Sequence, residues 1–244
     1  MGILTTLKAF FRGGSPASPT PIPAAQASAF DIDAYMAPFN ARLAEDFKQA
    51  EVASQQFEQQ YGEFPGFFHR LDFDLFLRKQ VLLFWEPDTE NKNFLDHNHW
   101  SKKHLFNFPG PLYTGESDTC GTGIAQAPAN VANDAYCCEY IFKQPTSYYE
   151  LLCVINAAAV EVFDSYSSNG NDYWTYDSCK QWWRNRAELL RDLTRKEVID
   201  MNDGQTKYYV DYLNGEAEMD LRRYCYFLEM GAYPPSTQTI LPEL

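Results

Sequence analysis

A chain of 244 residues, 45% hydrophobic and 16% aromatic, has enough material for one large folded domain and an appendage. Its formal charge of −13 speaks against a general nucleic-acid binder, because releasing counterions from a phosphate backbone takes a basic surface. The cysteines at Cys120, Cys137, Cys138, Cys153, Cys179 and Cys225 include no Cys-x-x-Cys pair, which argues for reduced thiols and against a zinc ribbon or an iron–sulfur ligand run.

Met1–Arg12 sets Ile3, Leu4, Leu7, Phe10 and Phe11 on one helical stripe beside Lys8 and Arg12. The stripe is too short to span a bilayer and too interrupted for a secretory signal, so weak contact with a membrane surface or a partner is the expectation. Residues 13–29 hold Pro16, Pro19, Pro21 and Pro23 among small residues and read as an extended linker. The expected organisation is an amphipathic segment at 1–12, a Pro/Ala/Ser-rich linker at 13–29 and a single α-rich globular domain at 30–244.

From Pro38 onward, Phe39, Leu43, Phe47, Ala50, Ser54, Phe57 and Tyr61 recur at three- and four-residue spacings. They predict a long amphipathic helix with Pro38 in its first turn and Gly62 at its end. Leu71, Leu75, Phe76, Val81, Leu82 and Phe84 predict a second helix over 71–84. A polar loop follows at 86–105, and then FNFPGPLYTGESDTCGTG at 106–123, whose glycines, prolines, Asp118 and Thr119 predict a shaped loop. Short extended pieces fit at 112–114 and at 138–143, where CEYIFK alternates polar and apolar residues.

Ser147 and Glu150 have the spacing of a capping box and open a helix to Val160. Residues 164–172 are a polar loop, after which Thr175 caps a long helix carrying Trp182, Trp183, Ala187, Leu190 and Leu193 as far as the break at 202–204. Two further helices, 206–213 and one through Met219, Leu221, Tyr224, Phe227 and Leu228, are separated by Asn214-Gly215 and stopped by Gly231 and Pro234-Pro235. The fold class is mainly α (α+β): a helical bundle-like domain with a small β element and long structured loops.

No catalytic, metal or cofactor set is assigned. His97, His99 and His104 with Asp96 lack a ligand spacing and a completing motif. Cys120 has no local signature of a thiol–histidine pair, and Glu116 with Asp118 fits turn formation better than acid–base chemistry. The 164–172 loop lacks the ligand positions of an EF-hand, and GESDTCGTG is not a phosphate-binding loop. The aromatic and arginine runs at 182–186 and 222–227 fit core packing first and an interface second.

PGPLYTGESDTCGTG, EYIFKQP, NGNDYWTYDSCKQWW and DYLNGEAEMDLRRYCYFLEMG, in this order over about 106–234, resemble an uncharacterised bacterial family sometimes labelled ferredoxin. The resemblance implies a compact domain encoded near polymorphic-toxin genes, and hence an immunity role, with no catalytic set to carry over. The iron–sulfur chemistry that the label suggests disagrees with the cysteine spacing. The expectation is a cytoplasmic protein-binding domain that occludes a basic toxin, with Tyr113, Glu116, Asp118, Asp164, Asp172 and Trp174 as contact residues. The alternatives are a small-molecule enzyme with a loop-built pocket using cysteine, carboxylate or metal chemistry, and a membrane-adjacent adaptor using residues 1–12. A common site requires 106–123 to lie beside 164–174.

Overall fold

The computed structural model describes residues 31–82, 95 and 98–244. The 1–12 segment, the 13–29 linker, Asp96 and His97 lie outside the described residues. Helix α1, Ile32–Tyr61, starts a turn earlier than the periodicity predicts because Asp31 caps it, its carboxylate accepting the Ala34 amide at 3.0 Å. Pro38 therefore sits inside the helix instead of in its first turn. That stretch is exposed, so water can take the carbonyl that a proline leaves unpaired.

The continuous helix predicted over 71–84 is instead a series of short turns. Helix α2, Phe64–Phe68, is followed by α3, Phe73–Phe76, which runs into a π-type turn at Leu77–Val81. Leu71 and Leu75, assigned to an apolar face, are 66% and 55% exposed. Burial goes to aromatics: Phe64, Phe67 and Phe68 pack under α1, with the Phe67 ring 5.0 Å from that of Tyr148. Tyr148 opens α5, Tyr148–Val160, the centre of the first apolar core. Ser147 caps α5 by accepting the Glu150 amide at 3.2 Å, but the Glu150 carboxylate reaches the Thr146 amide at 2.8 Å and leaves the expected reciprocal bond unmade.

A second core is built by α6 (Tyr176–Arg184), α7 (Arg186–Leu193), α9 (Thr206–Asn214) and α10 (Ala217–Met230), with α8 (Lys196–Met201) between α7 and α9 in the chain. The single helix predicted after Thr175 is thus three. Thr175 and Ser178 form a complete capping box at its start, and the Asn185 amide bonds to both Gln181 and Trp182 carbonyls where the axis breaks. Trp183, Leu189 and Leu193 face this core, which accounts for the Trp182-Trp183 run as packing on the inner side. No helix among the described residues is long and apolar enough to cross a membrane.

Between the cores lie α4 (Thr122–Gln126) and two antiparallel pairs, β1 (Tyr113–Thr114) with β4 (Tyr166–Ser167) and β2 (Val131–Asn133) with β3 (Glu139–Ile141). Strands this short leave many buried backbone groups without a ladder partner, and each such group costs roughly 1–3 kcal/mol if unsatisfied. Buried side-chain amides fill the role. Asn107 Oδ1 accepts the Ile141 amide at 2.9 Å while Asn107 Nδ2 donates to Thr114 O at 2.8 Å, joining β3 to β1. Gln144 donates to Phe108 O and Leu112 O at 3.0 and 2.8 Å, clamping the turn at Pro109-Gly110-Pro111. Asn202 spans both backbone groups of Asn133, tying α8 to β2. The mainly α fold with a small β element therefore depends on amide side chains for its joints.

The Pro109–Pro111 turn also meets Gly170, whose amide donates to Pro111 O at 2.8 Å. A Cβ at Gly170 would collide with Gly110 O and stand 2.9 Å from Pro111 O, both backbone atoms that cannot rotate away. Gly170→Ala is expected to destabilise the protein by about 3 kcal/mol, the upper part of the range for overpacking. Gly66→Ala, where an added Cβ meets nothing, is the control; denaturant midpoints for the two variants should differ clearly.

Candidate functional site

β1 and β4 bring the two predicted loops together. Tyr113 pairs with Ser167 and Thr114 with Tyr166, and the Gly115 amide extends the contact by donating to Ser165 O at 2.9 Å. The first loop is mostly interior, with residues 107–115 buried throughout. Tyr113 is fully buried and its hydroxyl donates to Asn169 Oδ1 at 2.8 Å; burial pushes its pKa up to about 12. Trp174 is buried under Trp100, and the Lys103 ammonium stands 4.7 Å from the Trp174 ring centre. Of the residues selected from sequence, Tyr113, Asp118 and Trp174 therefore support the fold from within, because no partner can reach them. Glu116 and Asp172 are exposed and Asp164 is half-buried. Glu116 pairs with Lys102 at 2.8 Å, and the Asp164 carbonyl accepts His99 Nε2 at 2.9 Å.

Beneath the surface turns at 116–121 and 161–165, three buried carboxylates are held by the backbone. Asp118 Oδ1 accepts the Cys120 amide at 2.7 Å and Oδ2 the Val162 amide at 3.1 Å. Glu161 returns the link, accepting the Asp118 amide at 2.7 Å through Oε1 and the Ser165 amide at 2.7 Å through Oε2. Glu139 on β3 accepts the Gly123 amide at 2.6 Å and the Tyr166 hydroxyl at 2.7 Å. Gly123 is required for that approach, since a Cβ there would run into the Glu139 carboxylate and lie 2.6 Å from the Tyr166 oxygen. Among the described residues none of the three carboxylates has a cationic partner. Backbone N–H dipoles do the solvating, as they do for carboxylates at helix N-termini.

This arrangement disfavours the thiolate form of its cysteines. The Asp118 charge, followed by burial, raises the pKa of Cys120, and burial together with Glu139 and Asp134 raises that of Cys137. A nucleophilic cysteine needs the opposite field. His104 is engaged with Asp134 at 3.2 Å and His99 with the Asp164 carbonyl, and no group of three His, Cys, Asp or Glu side chains among the described residues could hold a metal ion.

The outward side is apolar. Val162 and Phe163 follow Glu161 and are 64% and 66% exposed, while Tyr136 is 80% exposed. The turns that carry them are linked. Val162 is bonded to Asp118, which also holds Cys120; the Cys137 sulfur lies 3.6 Å from the Cβ position of Gly121; and Tyr136 and Cys138 donate their amides to Asp134. His104 binds the same Asp134, carrying Leu105, 79% exposed, to the edge. Glu116, Asp134 and Asp164 supply acidic groups around these side chains. Sequence reading missed Tyr136, Val162 and Phe163 because no pattern distinguishes an exposed loop aromatic from a core one. It missed Glu139 because alternation in CEYIFK implies a solvent-facing glutamate, whereas this strand is buried on both faces. A scan against protein-family models finds no match, and searches of curated proteins and of solved structures find none.

Burial, with a smaller addition from Asp118 and Glu161, lifts the Glu139 pKa from the ordinary 4.5 to about 7. A carboxyl whose folded pKa is raised contributes stability that is fully present below its unfolded pKa and is lost as pH rises through the folded one. Unfolding free energy should therefore fall mainly between about pH 4.5 and about pH 7, by on the order of 3 kcal/mol from this group. Glu139→Gln should flatten that part of the profile in chemical denaturation, and an unchanged slope would remove Glu139 as its source.

Proposed function

We propose that this chain is an intracellular protein-binding domain that neutralises a basic toxin by covering its working surface, and that the face carrying Tyr136, Val162 and Phe163 makes the contact. The observation that carries this reading is the combination of strongly exposed apolar side chains with a backbone fixed from below by buried carboxylates. Exposed apolar side chains on linked turns with a fixed backbone resemble the anchors of an interface, where little ordering entropy remains to be lost on association. The chain's charge of −13 and the acidic residues around the face would steer a cationic partner toward it. The resemblance of residues 106–234 to proteins encoded near toxin genes supports the same class of partner.

Glu116, Asp164 and Asp172 remain accessible and would act as rim charges, setting association rate and salt dependence more than final affinity. Tyr113, Asp118 and Trp174 would act by holding the face in shape.

The test is a pull-down against products of the neighbouring genes, followed by rescue of cells from the one captured. Phe163→Asp combined with Tyr136→Asp should weaken capture by roughly 30-fold or more, the effect of losing about 2 kcal/mol at an interface anchor, and should abolish rescue without shifting the melting temperature. No capture and no rescue across those products would sink the toxin reading.

A further inference from the structure

A cavity of about 100 Å³ lies away from this face, where α2, the Pro109 turn, Pro145, α9 and α10 meet. It occupies the seam between the two apolar cores. Its walls are rings with little freedom to collapse, among them Phe64, Pro109, Pro145 and Tyr224, and its charged and imidazole groups are His69, Asp220 and Arg223, beside the polar Gln144 and Thr146. A partly open, mostly apolar cleft with converging polar groups is a usual form of small-molecule site.

The polar groups have defined roles left over after their internal bonds. His69 Nδ1 donates to Pro65 O at 3.1 Å, which fixes the tautomer and leaves Nε2 as an acceptor. Burial holds the His69 pKa down to about 4, so the ring stays neutral and keeps that lone pair. Tyr233, from the segment after α10, covers the imidazole with its ring centre 4.4 Å away. Asp220 takes the Tyr212 hydroxyl on one oxygen at 3.0 Å and Arg223 Nη1 on the other at 2.9 Å. Arg223 Nε and Nη2 have no partner among the described residues, and these two donors form one edge of the planar guanidinium, the geometry that grips a carboxylate with two parallel bonds.

We propose that this cavity binds a single-ring aromatic carboxylate, with the ring between the proline and aromatic walls, the carboxylate on Arg223 Nε and Nη2, and a ring hydroxyl donating to His69 Nε2. Size sets an upper bound: at about 100 Å³ the space is smaller than an apolar cavity of about 150 Å³ that accepts benzene, so no more than one ring enters, no fused pair does, and the carboxylate must sit at the open mouth beside Arg223. Charge sets the anion, since the available donors belong to a cation whose own carboxylate partner occupies only one nitrogen. Because the site joins the two cores, a bound ligand stabilises the whole fold by mass action.

Titration of the full chain with benzoate, 4-hydroxybenzoate, phenol and 2-naphthoate, by calorimetry and thermal shift, tests the assignment. Saturable one-to-one binding is expected for both single-ring acids, tighter for 4-hydroxybenzoate, with phenol weaker and naphthoate absent. Arg223→Gln should weaken benzoate at least tenfold and leave phenol unchanged, while His69→Phe should erase the preference for the hydroxylated acid. Ligand-ring to Tyr233-ring contacts in nuclear Overhauser spectra of the unmodified chain locate the site even if a variant folds poorly. No saturation by either acid at millimolar concentration overturns the proposal, as does equal benzoate affinity in a folded Arg223→Gln protein. Binding only of a peptide ending in phenylalanine, which offers ring and carboxylate on a larger frame, also overturns it. None of these outcomes bears on capture of a protein partner at the Tyr136–Phe163 face.

Discussion

Backbone buried outside a helix or a long ladder must find its hydrogen bonds elsewhere, and in this protein that requirement governs nearly everything between the two cores. The strands are two or three residues long, so many amides and carbonyls of the central region fall to side chains. Neutral amides serve where both a donor and an acceptor are needed, as Asn107, Gln144 and Asn202 do. Carboxylates serve where only donors converge, as around Asp118, Glu139 and Glu161. A buried network of this kind specifies one arrangement, because a shift in any turn strands several polar groups at once.

The same requirement connects structure to the proposed function. Turns built from glycine, aspartate and serine would ordinarily be mobile, and mobile loops pay an ordering cost on binding. Here Asp118 and Glu161 tie each other's turns together, so Val162 and Phe163 project from a backbone that is already ordered. The exposed acidity proposed to steer a basic partner and the acidity that fixes the turns at 116–123 and 161–165 come from different residues: Glu116 and Asp172 are exposed, whereas Asp118, Glu139 and Glu161 are sealed. The sealed set also raises the pKa of the neighbouring thiols, which makes the loop a poor nucleophile site.

Much of this was legible from residues whose effect is local. Ser147, Thr175 and Gly231 mark helix ends by chemistry that acts within a turn, and the structure places boundaries there. Pairing of the 106–123 and 164–174 loops is met through β1 and β4, a strand hidden in what reads as polar loop. Properties that depend on tertiary surroundings were not legible. Glu116 and Asp118 stand two positions apart in one turn, yet one is exposed and the other buried against Glu161. Leu71 and Leu75 look like a core face and point to solvent because α3 begins at Phe73 and turns its phenylalanines inward. The break at Asn185 leaves no trace in a run whose helical periodicity continues across it.

Amide hydrogen exchange tests the central claim most directly, since it reads each backbone donor separately. If the carboxylates hold the central turns, the amides of Asp118, Cys120, Gly123, Val162 and Ser165 exchange as slowly as those of α5 and only through opening of the whole fold. Exchange of these amides at the rate of an unstructured loop, while α5 stays protected, would contradict it.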